Sequence, residues 1–127
     1  MSTLLLLLVL VAVILASFGQ ISMKYGMNLV GPLVTPGNPG ITMLLGLGRA
    51  VFTPFVLLGL GLYAVSAGFW LVVLKQAQQL SYVYPMIAST YVFVLFLSWL
   101  LLHEQLPAVR IAGVVLICIG VVFVARS

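Results

Sequence analysis

Ser17, Gln20 and Lys24 stand at i, i+3 and i+7 in "SFGQISMKYG", on one face of a helix, where an almost unbroken aliphatic run closes. Lysine and amide together suit an anionic headgroup, because phosphate accepts charge-assisted hydrogen bonds from the ammonium and the amide adds another. The pair also has a plainer use. Lys24 can snorkel to the headgroups while Gln20 bonds a neighbouring helix. A second polar point is His103-Glu104, with Arg110 shortly after it. Glu104 is the single acidic residue of the chain. One role for it is a cap or an ion pair, since negative charge favours the positive end of a helix macrodipole. The other is substrate contact or proton relay, because ionisable groups in membrane proteins are often functional. A third feature is "SYVYPMIASTYVF", where Ser81, Tyr84, Ala88 and Tyr91 follow helical spacing and Pro85 can kink the helix and free a carbonyl. Tyrosines on that face can line a cavity. An interfacial aromatic belt accounts for Tyr82 and Tyr84 but poorly for Tyr91.

These residues need a frame, and composition defines it. The chain has 127 residues, 65% hydrophobic and 5% charged, with mean hydropathy +1.37. A soluble domain carries about 25% charged residues. The reading is an all-α integral membrane protein of one domain, 1–127. The net charge of +4 comes from basic residues scattered singly between apolar runs. They set topology and anchor helix ends, and are not a nucleic-acid surface. The lone Cys118 lies in an apolar run and reads as a small core residue. No metal or cofactor site is expected. P-loop, H-E-x-x-H and G-x-S-x-G signatures are absent, and no enzyme chemistry is expected.

Crossing a bilayer takes about 20 apolar residues. Four segments qualify as transmembrane helices, at about 3–23, 54–74, 80–102 and 108–125. Backbone groups must be satisfied internally in lipid, so the spans are helices. The first lacks a basic leader and a clear cleavage site and reads as a permanent helix. Short loops after the second and third spans make antiparallel neighbours, and Pro107 suits the first turn of the fourth. The connection 28–53 is longer. Its half "GPLVTPGNPG" is turn-rich, and its half "ITMLLGLGRAVF" predicts a short interfacial helix, with a re-entrant turn as the alternative. Four crossings put Lys75 and Arg126 on one side and Lys24, Arg49 and Arg110 on the other, a division that does not fix orientation. Gly113 and Gly120, seven apart in the fourth span, predict close helix packing or dimerisation, and Gly61 and Gly68 repeat that spacing in the second.

"GQISMK", "FWLVVLKQAQQLSYVYPM" and "LLLHEQLPAVRIAGVVLICIGVVFV" occur in that order. Together they resemble the four-helix, small multidrug-resistance-like (EamA-like) branch of the drug/metabolite transporter superfamily. Within it the sequence is most similar to the small subunits that flip undecaprenyl-phosphate-linked aminoarabinose. The resemblance covers nearly the whole chain except the insertion around "VTPGNPGITM". Drug exporters of this kind carry an essential glutamate within the first helix, and here "LLLLLVLVAVILAS" has none. The resemblance therefore implies a flippase subunit of the bacterial inner membrane for a polyprenyl-phosphate-linked sugar or similar anionic lipid. Lys24 and Arg110 would hold the phosphate with Gln20 assisting. Tyr84, Tyr91 and Trp70 would line the cavity, and Glu104 would orient Arg110 or relay a proton. Relatives work in pairs, which implies a homodimer or a heterodimer with a similar small subunit, with Gly113 and Gly120 at the interface. Two other readings stand beside it: a small multidrug or metabolite exporter, and a non-transporting membrane subunit of a larger complex.

Overall fold

A computed structural model describes residues 3–30, 37 and 39–127. Among the described residues the chain is helical and has no strand. Four helical segments are long and apolar enough to cross a membrane: Thr3–Leu29, Pro54–Gln76, Leu80–Leu101 and Ala108–Arg126.

Helix α1, Thr3–Leu29, runs past the expected end near Met23. Nothing from Lys24 to Leu29 breaks a helix except Gly26, and Gly26 is held by packing. A Cβ there would lie 2.6 Å from Val56 Cγ2. Helix α2, Pro39–Val51, is the short helix foreseen in the second half of the connection. At about 1.5 Å per residue it is some 20 Å long, short of the ~30 Å hydrocarbon core. The turn-rich half foreseen at "GPLVTPGNPG" falls mostly outside the described residues. Thr53 joins α2 to α3, Pro54–Gln76, by donating its N–H to the Ala50 carbonyl at 3.0 Å and its hydroxyl to the Arg49 carbonyl at 3.2 Å. Pro54 opens α3, where a missing N–H costs nothing.

The third span is not one continuous α-helix. It comprises α4, Leu80–Val83, a 3-10 segment, Tyr84–Ala88, and α5, Ser89–Leu101. Pro85 lies in the 3-10 segment, so the expected kink takes the form of local rewinding. α5 ends at Leu101, and two residues on the chain turns at His103, whose φ of 56° lies in the left-handed region. That turn lets the Glu104 N–H donate to the Ser98 carbonyl at 3.2 Å. α6 is Ala108–Arg126. Pro107 stands one place earlier than expected, as the extended residue ahead of the first turn.

Packing is concentrated between α1 and α3. Gly26 meets Val56, Gly19 meets Gly59 and Tyr63, and the Ser66 hydroxyl donates to the Ala12 carbonyl at 2.6 Å. The pairings run in opposite senses along the two chains, so the helices are antiparallel. A Cβ on Gly19 would lie 2.8 Å from the Gly59 carbonyl oxygen, and a Cβ on Gly59 only 2.6 Å from that of Gly19. Lipid tails are as apolar as leucine, so such close approach and not hydrophobic expulsion drives the association. Tyr25 and Phe55 close one end edge-to-face at 4.7 Å, and the Ser22 hydroxyl donates to the Phe55 carbonyl at 2.6 Å. Toward the other end Leu5, Val9, Val13, Val73, Val83 and Met86 form the buried cluster.

α6 differs. It has no buried residue and meets chiefly the 3-10 segment and α5. Val109 is 84% and Phe123 72% exposed. Among the described residues, nothing lies within 4 Å of a Cβ built on Gly113, Gly120, Gly61 or Gly68. The glycines foreseen as packing contacts therefore face outward here. Those that carry the helix contact are Gly19, Gly26 and Gly59.

Candidate functional site

Arg110 opens α6, Glu104 sits in the turn before it, Tyr91 lies on α5 and Gln20 on α1. Together they line one cavity of about 590 Å³, with Thr90, Val94, Leu95, Ser98, Leu106 and Val114. Three spans contribute: the second half of α1 at Gln20, α5 along its length from Thr90 to Ser98, and the start of α6 with the turn before it. Tyr91, Val94 and Ser98 follow i, i+3, i+7 spacing and face it as a stripe. Ser98 is buried, and its hydroxyl donates to the Val94 carbonyl within its own helix. Tyr91 is 55% exposed.

The charges on this wall are one cation and the one acid. Among the described residues the Arg110 guanidinium donates to the Gln105 carbonyl at 3.2 Å and not to the Glu104 carboxylate. That fixes the arginine's direction and uses one of its five N–H donors. The remaining fork matches phosphate or carboxylate oxygens. Glu104 also borders a second, outer cavity with Trp99, His103 and Ile111. It stands on the partition between the two. The site can thus meet an anion and a cation at once, with an amide, a phenol and a threonine hydroxyl beside them.

Lys24 lies outside this lining. It is exposed, one turn beyond Gln20 on α1. Ser17, foreseen on the same face, is fully buried, and its hydroxyl donates to the Val13 carbonyl at 2.7 Å. The three therefore do not form one donor set.

Trp70 and Tyr84 line a different cavity of about 270 Å³, with Ala12, Ala16, Tyr63, Ser66 and others. Their rings meet edge-to-face at 6.3 Å. Helical spacing had placed Tyr84 and Tyr91 on one face. The 3-10 segment separates them, because each of its residues turns about 120° and an α-helical residue about 100°. Over five residues the excess is about 100°. Thr90 borders both cavities. Tyr82 is not merely a belt residue. Its hydroxyl donates to the Ala125 carbonyl at 2.9 Å and ties the third span to the end of α6.

Thr90 and Ser98 were not singled out in the sequence, although each is a hydroxyl in an apolar run on the Tyr91 side of its helix. The Gly19 and Gly26 pair also passed unremarked, although it repeats the seven-residue spacing read in α6.

No family model matches the chain, and no solved structure does. A curated relative from Shewanella sediminis (strain HAW-EB3), described as a probable 4-amino-4-deoxy-L-arabinose-phosphoundecaprenol flippase subunit, ArnF, is 35% identical over 131 aligned positions. The match covers 94% of this chain and 86% of the relative. Four helices able to span a membrane, a polar cavity at one end of them and this similarity over most of both chains lead to one assignment. The chain is a multi-pass inner-membrane protein and belongs to the ArnF family of small flippase subunits.

Proposed function

We propose that this chain is a subunit that carries the headgroup of a polyprenyl-phosphate-linked sugar across the inner membrane, with the prenyl tail left in lipid. The observation that supports it is the cavity shared by Gln20, Tyr91, Glu104 and Arg110. Its roles divide by chemistry. Arg110 holds the phosphate. Gln20 and Tyr91 bond the sugar. Lys24, one turn from Gln20, draws the anionic group toward that end of the bundle. Because Arg110 is engaged by the Gln105 carbonyl, Glu104 keeps its carboxylate for another cation. The relative's name includes a 4-amino sugar, and an ammonium on the headgroup is a fitting partner for Glu104. Trp70 and Tyr84 form the inner wall beyond Thr90.

A paired assembly of the small multidrug-resistance-like kind completes the reading. α6 is bare on its outer side, and Gly113 and Gly120 are open to a second small subunit. The drug-exporter alternative is weaker, because α1 offers no carboxylate along its length.

Flipping of a lipid-linked amino sugar in proteoliposomes tests the assignment, with the second subunit present if flux requires it. Arg110→Ala should lower flux about tenfold or more, the scale of one lost hydrogen bond to a charged group. Arg110→Lys should keep part of it. Full flux from Arg110→Ala in protein of normal stability overturns the assignment.

A further inference from the structure

α1 passes three cavities in succession. Gln20 belongs to the cavity with Arg110, and Ala12 and Ala16 belong to the aromatic one. Leu5 belongs to a third, of about 460 Å³, at the opposite end of the bundle. From Gln20 to Leu5 is about 22 Å along the helix at 1.5 Å per residue. The third cavity is lined by Gln76, Gln78 and Gln79 with Ala77, Tyr82 and Ser127. The amides come from the connection between α3 and α4, where Ala77 is extended and the chain crosses the bundle end.

No charged side chain lines this cavity among the described residues. Its hydroxyls are engaged, Tyr82 with the Ala125 carbonyl and Ser127 with the Val124 carbonyl at 2.6 Å. Its three glutamines are exposed, and their side-chain amides make no hydrogen bond to another described residue. Each amide offers two donors and one acceptor. Three of them around one cavity match vicinal hydroxyls, which donate and accept side by side. They match phosphate less well, because their acceptors are left unused.

We propose that the Gln76–Gln78–Gln79 cavity is a second, sugar-selective headgroup site at the membrane end opposite Arg110. This rests on the flippase reading of the chain. The two ends then hold one headgroup in different ways. The Arg110 end takes phosphate and sugar together and binds tightly. The amide end takes the hydroxyls and binds weakly, as a site of first capture or last release must.

The test uses the full chain in lipid nanodiscs with ¹⁵N-labelled glutamine side chains. The probes are a methyl pentopyranoside and, separately, inorganic phosphate. The pentoside should shift the amide signals of Gln76, Gln78 and Gln79, and phosphate should leave them in place. Gln78→Ala should weaken pentoside binding, read at Gln76 and Gln79, about fivefold for one lost hydrogen bond. Arg49→Ala, outside both cavities, should leave pentoside binding at these amides unchanged. The proposal is overturned if the three signals ignore the pentoside, if phosphate moves them equally, or if Gln78→Ala changes nothing. A wild-type protein that binds the pentoside at these amides but flips no lipid-linked sugar supports the site and sinks the flippase reading, so the two failures are distinct.

Discussion

The α1–α3 interface and the outer surface of α6 are built from the same residue types, aliphatic side chains with glycines seven apart, yet only one of them is closed. Along α1, Gly19 and Gly26 admit α3 to backbone contact. Along α6, Gly113 and Gly120 meet nothing among the described residues. Glycine spacing on an apolar helix marks a surface suited to close approach, but it does not say which surface is used internally. Polar side chains make the difference. Ser66 and Ser22 on the closed interface each bond a carbonyl of the facing helix. Among the described residues α6 has a single such tie, received from Tyr82 near its last residue.

That contrast can be broken by substitution. The largest effect is expected for Gly19→Leu, which drives a side chain into the Gly59 and Tyr63 backbone. Overpacking of this kind costs about 1–3 kcal/mol. The matching Gly113→Leu change should stay within about 0.5 kcal/mol for the isolated chain. Thermal or denaturant unfolding in micelles compares the two, and equal losses would dissolve the distinction. Ser66→Ala comes next. It removes one interhelical hydrogen bond, worth about 0.6 kcal/mol on average in membrane proteins, and the same unfolding experiment reads it. The smallest is Tyr82→Phe, at about 0.5 kcal/mol. Its signature is local. Hydrogen exchange in the last turn of α6 should rise while α1 and α3 keep their protection. Loss of protection throughout would show that the Tyr82 tie holds more than one helix end.

Much of the architecture was legible in the residues. Apolar runs interrupted by Pro54, by Lys75–Gln79 and by His103–Pro107 mark the spans closely, because lipid allows few alternatives to a helix. The end of α1 was less legible. Lys24 and Gly26 look like terminators, and only the fit of Gly26 against Val56 explains why the helix continues. The cavity was legible in part. Gln20, Glu104 and Arg110 are conspicuous in so apolar a chain, and topology already put Glu104 and Arg110 at the Lys24 end. What linear spacing could not show is that Lys24 misses the cavity and that Tyr84 and Tyr91 face different spaces. The amides at 76–79 were hidden for another reason. They read as an ordinary polar loop, and only the fold sets them around a common space with Leu5 and Ser127.

The 3-10 segment at Tyr84–Ala88 has a consequence for alignment. An excess rotation of about 100° equals one residue of an α-helix. From Ser89 onward, each side chain points where its sequence neighbour one place later would point in an unbroken helix. The segment is a phase shift of one residue, made without inserting any. A relative with an uninterrupted third span can present the same cavity wall only with its residues displaced by one position. A helical wheel drawn through the whole span pairs the wrong faces, and a gapless alignment of two such relatives matches residues that do not share a role.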